Sequence, residues 1–165
     1  MVYATILIFC NSLYTSNSYA NELIIEKKQG FLSKFEDINS NDVTLNDFNG
    51  KLLLINLWAT WCEPCKEEMP SLDKLQANPE LDKIKIFAIN IGKETLDKVN
   101  KFFIDLNIKN FEPYFDPPTT LAKMFSLRGV PTTILINKKG QEFARVMGSI
   151  DFEDKNFINW IKKYN

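Results

Sequence analysis

Two cysteines, Cys62 and Cys65, stand where a long apolar run gives way to a helical pattern. The run 52–58, Leu-Leu-Leu-Ile-Asn-Leu-Trp, is typical of a strand buried in a central sheet. Residues 66–75 then carry polar and apolar side chains at helical spacing. This order predicts a buried strand, a short turn, and a helix whose first residue is Cys62.

A thiol at the start of a helix has an unusual environment. The free N–H groups and the macrodipole at that end favour negative charge. They lower the pKa of a cysteine thiol placed there from about 8.5 into the range of roughly 3.5–7.5. Cys65 lies one helical turn further on, within reach of Cys62 for a disulfide. The pattern therefore favours reversible thiol–disulfide exchange.

Three other roles for the cysteine pair have less support. A purely structural disulfide remains an alternative, but a disulfide that closes so short a loop would stabilise the fold by only about 2 kcal/mol. A zinc site needs four ligands, whereas the chain has no histidine and one further cysteine, Cys10. Covalent haem attachment needs a histidine directly after the second cysteine, and that residue is Lys66.

Composition restricts the classes of function. The chain has 165 residues, of which 45% are hydrophobic and 25% charged, as in one ordinary globular domain. A net charge of −1 gives no support for a nucleic-acid partner. The absence of histidine from the sequence excludes histidine acid–base catalysis and histidine metal ligands. We expect no metal, no cofactor and no nucleic acid, and we expect the protein to be a monomer.

The N-terminal segment has the pattern of a signal peptide. Residues 2–13 are mostly apolar, and no charged side chain precedes Glu22. Residues 18–20, Ser-Tyr-Ala, place small side chains at the third and first positions before a cleavage point. The apolar run is too short to span a membrane, although retention as an anchor is the alternative. Cleavage after Ala20 would also remove Cys10.

These observations predict two segments, a signal peptide at 1–20 and one folded domain at 21–165. An exported protein of this kind would work in the periplasm or on the outer side of the cytoplasmic membrane. Its only thiols would be the Cys62–Cys65 pair, which suits an oxidising compartment.

Downstream of the cysteines, strand and helix patterns alternate. We predict a short strand at 35–38, a strand at 84–91, a helix at 94–107, a strand at 111–115, a short helix capped by Thr119 or Thr120, a β-hairpin at 132–136 and 141–147, and a last helix at 151–164. Strands separated by helices pair in parallel through right-handed crossovers, and the hairpin adds antiparallel strands. The predicted fold class is α/β, with a central mixed sheet and helices on both faces.

With these motifs in place, the sequence resembles the thioredoxin-like superfamily. Within it, the chain is similar to the TlpA/ResA/CcmG (DsbE) group of envelope thiol–disulfide oxidoreductases over residues 42–164. The match is carried by 50–58, by 61–66 (Trp-Cys-Glu-Pro-Cys-Lys), by Glu68 and Pro70, and by 129–133 (Gly-Val-Pro-Thr-Thr). The helix and strand within 94–115 match the insertion that this group carries between the second central strand and the strand of its cis-proline.

The resemblance implies roles for named residues. Cys62 would be the exposed nucleophile and Cys65 the resolving thiol, so that together they form the redox-active disulfide. Pro131 would be the cis-proline of the group, and an ordinary proline at the start of a strand is the alternative. A cis bond there would leave the backbone of Val130 free to pair with an extended substrate segment.

Two further residues are assigned to the surface that contacts substrate. Trp61 directly precedes the nucleophile, and we predict that it shapes this surface, with a plain core position as the alternative. Pro64 lies between the two cysteines and is placed on the same surface by the resemblance.

The sequence departs from plain thioredoxins next to the cysteines. Those proteins carry a buried aspartate six residues before the first cysteine, and here that residue is Asn56. Glu68 lies three residues after Cys65, where TlpA/ResA-type proteins carry a glutamate. We hypothesise that Glu68 assists deprotonation of Cys65, although a solvated helix-face carboxylate is the alternative. Glu63 adds negative charge near Cys62, which opposes the helix dipole.

The leading hypothesis is an enzyme of the cell envelope that reduces protein disulfides. The family setting is cytochrome c or oxidase maturation, with apocytochrome c or copper-site proteins as substrates and a membrane electron donor of the CcdA/DsbD type. One alternative is a thiol oxidase or isomerase on the same fold. Another is a thiol-dependent copper-binding or delivery module, against which the lack of histidine argues. A peroxidase has less support, because no proline-threonine turn surrounds Cys62.

We expect the mature protein to begin at or near Asn21, because residues 18–20 provide the one good cleavage signal after the apolar run. Intact-mass measurement of protein purified from an envelope fraction checks this. A mass that includes residues 1–20 would mean that the segment is retained, as an anchor would be.

Overall fold

A computed structural model describes residues 34–165, so the predicted signal peptide lies outside the described residues. In this part of the chain the strands are β1 (Lys34–Glu36), β2 (Asp42–Thr44), β3 (Leu52–Trp58), β4 (Ile84–Asn90), β5 (Pro113–Phe115), β6 (Thr132–Ile136) and β7 (Glu142–Met147). The α-helices are α1 (Glu63–Gln76), α2 (Leu96–Asp105), α3 (Thr120–Met124) and α4 (Lys155–Ile161). Short 3-10 helices lie at Leu45–Phe48 and Pro79–Leu81. None of these helices is long and apolar enough to cross a bilayer.

The strands form one mixed sheet in the order β2-β1-β5-β4-β3-β6-β7. The central strand β3 pairs in parallel with β4 and antiparallel with β6. The pairing of β4 with β5 is also parallel, whereas β1 pairs antiparallel with β2 and β5, and β6 with β7. The predicted mixed sheet is therefore confirmed, and its two parallel pairs, β3 with β4 and β4 with β5, are joined through α1 and α2.

The sheet has a buried apolar core on each face. One core takes Leu54 and Trp58 from β3 and packs them against α1, α2 and α4. The other takes Ile55 and Leu57 and packs them against α3. A strand covered on both faces is apolar at successive positions, which is why β3 shows no alternation. The helices lie on both faces of the sheet, as predicted, because both faces of β3 are apolar.

The start of α1 differs from the prediction by one residue. Cys62 has an extended backbone, with φ −87° and ψ 107°, and is the N-cap rather than the first helical residue. The helix begins at Glu63, with Pro64 in its first turn, where a missing N–H costs no hydrogen bond. The helix continues through Pro70 to Gln76. The position of the cysteines at a helix N-terminus is thus confirmed.

The later helices α2 and α4 are shorter than predicted, because α2 begins after its N-cap Thr95 and α4 begins after a turn at 152–153 and its N-cap Asp154. Thr95 precedes α2, and its hydroxyl oxygen accepts a hydrogen bond from the backbone of Lys98 at 3.4 Å. Asp154 precedes α4, and its carboxylate accepts from the backbone N–H groups of Asn156 and Phe157. Both side chains satisfy N–H groups that have no partner inside the helix.

The predicted cap of α3 was wrong. Thr119 occupies the N-cap position but makes no capping hydrogen bond, and its hydroxyl donates to the carbonyl of Pro118. The buried carboxylate of Asp116 accepts instead, from the backbone N–H groups of Thr120 at 2.9 Å and Ala122 at 3.1 Å. A carboxylate is a good acceptor at a helix start, and Asp116 reaches it from the end of β5.

The segment between β4 and β6 contains α2 and β5, as the resemblance implied. It is fastened to α1 through Asp73, whose carboxylate is buried. That carboxylate accepts from the backbone of Lys109 at 2.9 Å, and from the backbone and side chain of Asn110, each at 2.7 Å. The inserted strand β5 thereby joins the main sheet beside β4.

Candidate redox site

The two cysteine sulfurs are bonded at the N-terminus of α1. Their Sγ atoms lie 2.12 Å apart and their Cα atoms 5.3 Å apart. The backbone N–H of Cys65 donates to the Sγ of Cys62 at 3.2 Å, which is the bond that an N-cap side chain accepts. The strand β3 ends at Trp58, so the pair lies close to the carboxyl end of the central strand.

The accessibility of the pair corrects one expectation. Cys62 is 5% exposed and Cys65 is fully buried, so the expected nucleophile has little exposed surface in the oxidised protein. The N-cap geometry explains this, because it turns the Cys62 sulfur inward over the first turn of α1. Cys62 is still the more accessible of the two.

The neighbours of the cysteines lie at the surface. Trp61 is 64% exposed, which rules out the alternative of a core position. Pro64 is also exposed. By contrast, Trp58 is fully buried and contacts the rings of Phe102 and Phe103. The tryptophan at the end of β3 and the tryptophan within the following loop therefore have opposite environments.

The peptide bond between Val130 and Pro131 is cis, as the resemblance implied, which excludes an ordinary trans proline. Pro131 is buried and Val130 half-buried. Leu57 of β3 pairs with Thr132 of β6, so continuing the antiparallel register places Pro131 beside Trp58. The loop to Cys62 leaves β3 from that point, and the cis peptide thus lies next to the start of that loop.

Glu68 is buried, with 2% of its surface exposed, so the alternative of a solvated carboxylate is wrong. Its Oε1 accepts from the side-chain amide of Asn56 at 2.7 Å, and its Oε2 from the backbone of Ile150 at 3.4 Å. Asn56 also donates to the hydroxyl of Thr133 at 2.9 Å. Asn56, which stands where plain thioredoxins carry an aspartate, thus supplies the amide that holds Glu68.

Burial raises the pKa of Glu68 to about 7, because a carboxylate loses its hydration inside the core. The hydrogen bonds from Asn56 and from the backbone of Ile150 lower this pKa, but they offset only part of the effect. A carboxyl group whose pKa is near neutrality can both accept and release a proton under ordinary conditions. Glu68 lies one turn along α1 from Cys65.

The charge of Glu63 is partly compensated. Its carboxylate is exposed and forms an ion pair with Lys66 at 2.7 Å. Exposed ion pairs contribute little energy, yet the cation reduces the field that Glu63 exerts on Cys62. The negative influence of Glu63 on the thiol is therefore weaker than its position in the sequence indicates.

Sequence reasoning missed Glu94, which contacts the loop before the cysteines. Its side chain is 4% exposed and accepts hydrogen bonds from both the backbone and the hydroxyl of Thr60. The two residues are 34 positions apart, and Glu94 looked like the first residue of an amphipathic helix. No local pattern marks such a contact. Within residues 34–165, no group of three or more histidine, cysteine, aspartate or glutamate side chains is arranged to hold a metal ion.

A cysteine pair at the start of the helix that follows the central strand, with a cis-proline next to the start of the loop that leads to it, defines the class of thioredoxin-like thiol–disulfide oxidoreductases. The AhpC/TSA family model matches residues 28–141, and the chain belongs to this family. The protein is a thiol–disulfide oxidoreductase.

Known relatives agree with this class. The chain is 29% identical to the thiol-disulfide oxidoreductase ResA of Bacillus subtilis, covering 92% of this chain and 84% of that protein. It is 31% identical to ResA of Geobacillus thermodenitrificans, covering 76% of this chain and 72% of the relative. A crystal structure from Chlorobium tepidum, described as a thiol:disulfide interchange protein DsbE, superposes with a TM-score of 0.70 at 23% identity. It covers 80% of this chain and 92% of that one, and supports the fold.

We expect Glu68→Gln to flatten the pH dependence of stability. The folded pKa of about 7 exceeds the ordinary 4.5, so the folded state keeps a proton that the unfolded state has lost. Stability from this group is present below about pH 4.5 and is lost as the pH rises to 7. The parent should lose about 3 kcal/mol more unfolding free energy than the variant across this window. Denaturant titrations of the oxidised proteins at several pH values measure it.

The matched control is Glu67→Gln, which removes the same charge from an exposed neighbour. Its profile should follow that of the parent. A parent and Glu68→Gln variant with the same pH dependence would show that the buried carboxyl keeps its ordinary pKa.

Proposed function

We propose that this protein reduces protein disulfides in the cell envelope, with Cys62 as the nucleophile and Cys65 as the resolving thiol. The observation that carries the proposal is the sulfur pair at the N-terminus of α1, followed one turn later by the buried, titratable Glu68. This arrangement provides an activated thiol, a second thiol to release the product, and a group to take up a proton.

In the first step, the Cys62 thiolate of the reduced protein attacks one sulfur of a substrate disulfide. The substrate S–S bond breaks, a mixed disulfide forms with Cys62, and the departing substrate sulfur leaves as a thiolate that takes up a proton. The N-cap position favours this nucleophile, because the helix dipole and the N–H of Cys65 both stabilise negative charge on its sulfur.

In the second step, Cys65 attacks the Cys62 sulfur and the mixed disulfide bond breaks. The second substrate sulfur leaves as a thiolate and takes up a proton, so the substrate is released as a dithiol. Cys65 must lose its proton first, and it is fully buried away from water. Glu68 is placed to accept that proton, since residues three apart lie on the same side of a helix and its pKa of about 7 suits a base at neutral pH. The substrate gains two electrons, and the Cys62–Cys65 disulfide forms.

The surface around the pair suits an extended protein segment. Trp61 and Pro64 are exposed beside Cys62 and offer apolar contact. Within residues 34–165, the N–H and carbonyl of Val130 make no hydrogen bond to other backbone groups. An added substrate strand could therefore pair with Val130 next to Pro131, and such pairing recognises backbone more than side chains.

The direction of transfer follows from the charge near the thiols. An ionised Glu68 disfavours the thiolate form that makes a strong oxidant, and the sequence has no histidine to stabilise that thiolate. We infer a reductant that a membrane donor of the CcdA/DsbD type returns to the dithiol state. Its substrates would be disulfides of exported proteins, such as apocytochrome c or copper-site proteins. The Lys66 cation near Cys62 is the feature that favours an oxidase or isomerase as the second candidate.

We expect Cys65→Ser to accumulate mixed disulfides through Cys62, because the resolving step is lost. Cys62→Ser should trap far less substrate. Non-reducing gels of each variant mixed with an oxidised substrate protein make the comparison. Equal trapping by the two variants would overturn the assignment of the nucleophile.

We expect Glu68→Gln to slow substrate release by about a hundredfold or more near neutral pH, within the range for a lost general base, while the first attack by Cys62 stays intact. Stopped-flow single-turnover kinetics between about pH 6 and pH 9 separate the two phases. Glu67→Gln is the control. A release phase that matches the parent over this range would remove Glu68 from the mechanism.

We expect the reduction potential of the Cys62–Cys65 pair to lie nearer the thioredoxin value of about −270 mV than the DsbA value of about −120 mV. Equilibration with glutathione measures the potential, and an oxidised peptide containing Cys-x-x-Cys-His tests the activity. A potential near the DsbA value, or failure to reduce the peptide, would favour the oxidase or isomerase alternative.

A further inference from the structure

Glu94 forms a buried polar contact outside the reacting groups. It lies between β4 and α2, and its side chain is 4% exposed. The carboxylate accepts hydrogen bonds from the backbone of Thr60 at 3.1 Å, from the Thr60 hydroxyl, from the amide of Asn90 at 2.7 Å and from the ammonium of Lys98 at 3.0 Å. Four donors therefore meet at this carboxylate, and they come from the cysteine loop, the end of β4 and α2.

The carboxylate is held as an anion. Burial raises the pKa of Glu94, but hydrogen bonds from Thr60, Asn90 and Lys98 together outweigh that effect, so its pKa lies below the ordinary value. Space for it depends on Gly92, where an added Cβ would lie 2.5 Å from the Glu94 Oε2. The side-chain oxygen of Asn90 accepts a hydrogen bond from the backbone N–H of Gly92 at 2.9 Å, which fixes the turn after β4.

The contact determines where the loop before the cysteines lies. Thr60 is the middle of the short connection from β3 to α1, and Trp61 follows it directly. The Cys62 end of the loop is held separately, because the N–H of Cys62 donates to the carbonyl of Ala59 at 3.2 Å and α1 begins at the next residue. Glu94 therefore acts on Thr60 and Trp61 more directly than on the sulfurs.

We propose that Glu94 is a positioning residue for substrate recognition, which holds Thr60 so that the exposed Trp61 is presented to protein disulfides beside Cys62. This inference rests on the proposed function. Its consequence is selective: without the carboxylate, protein substrates dock less well, while a disulfide too small to contact Trp61 reacts as before. The recognition surface is thus set by a residue that follows β4, at the same carboxyl edge of the sheet as the cysteine loop.

The test compares two substrates with one set of variants. The substrates are an oxidised Cys-x-x-Cys-His peptide, which needs docking, and dithiobis(nitrobenzoic acid), a small disulfide. Glu94→Gln should raise KM for the peptide about tenfold with kcat nearly unchanged, as expected for loss of charge-assisted hydrogen bonds that act in binding. The rate with the small disulfide should stay within about twofold. Asp97→Asn, which removes an exposed charge from α2, is the matched control.

Substitutions of Thr60 test the same contact while the buried carboxylate of Glu94 stays in place. Thr60→Val keeps the shape and removes the hydroxyl donor, and it should show a smaller rise in KM for the peptide. Thr60→Ser keeps the hydroxyl, and its KM for the peptide should equal that of the parent. Trp61→Ala should reproduce the effect of Glu94→Gln, and the double variant should be no worse than either single one, because both changes act through the same contact.

Equal slowing of both substrates by Glu94→Gln, or additive losses in the double variant, would overturn the proposal. So would a peptide KM that none of the Glu94 and Thr60 variants changes. Activity of the parent tests the proposed function separately. If the parent oxidises rather than reduces, the same variants are compared with the reduced peptide and dithiothreitol, and the ratio of the two rates still decides the role of Glu94.

Discussion

Burial of β3 on both faces is the constraint on which the rest of the structure depends. Every residue of Leu52–Trp58 is buried, so the strand needs a neighbour on each side and helices above and below. β4 and β6 provide the neighbours, and α1 and α3 help to cover the two faces. Removal of apolar surface from water contributes about 25 cal/mol per Å² and drives this arrangement. Because α1 follows directly, the same burial places the cysteine pair at the carboxyl end of the sheet centre.

Two carboxylates with buried side chains, Glu68 and Glu94, lie near that end; burial raises the pKa of both, but their net shifts have opposite signs. Glu68 has two hydrogen-bond donors, one of them at 3.4 Å, and its pKa rises. Glu94 has four, including an ammonium group, and its pKa falls. A desolvated carboxylate stays ionised only where enough donors replace its hydration. The number of donors thus leaves one group able to exchange protons near neutrality and the other a fixed anion that holds a loop.

Prediction from the sequence succeeded where the signal is local. The apolar run of β3 and the hairpin of β6 and β7 were found with bounds close to those observed, since a strand pattern repeats over a few residues. The three-residue strand β2 was not predicted, because its sequence Asp-Val-Thr has a single apolar side chain between polar ones. The cap of α3 was assigned to threonine, although Asp116 supplies it from several residues earlier. Helix ends were the least accurate bounds, as caps resemble the helices that they begin.

The sequence by itself determined the redox pair, its place between strand and helix, the mixed α/β sheet and the resemblance to thiol–disulfide oxidoreductases, because each depends on the order and spacing of nearby residues. Only the tertiary structure decided the surroundings of the carboxylates near the pair, and it alone brought Glu94 to the loop before the cysteines. Asn56 meets Glu68 across 12 positions, Thr60 meets Glu94 across 34, and Ile150 meets Glu68 across 82. A pKa depends on the loss of water and on the donors that replace it, and those partners come together only when distant segments pack.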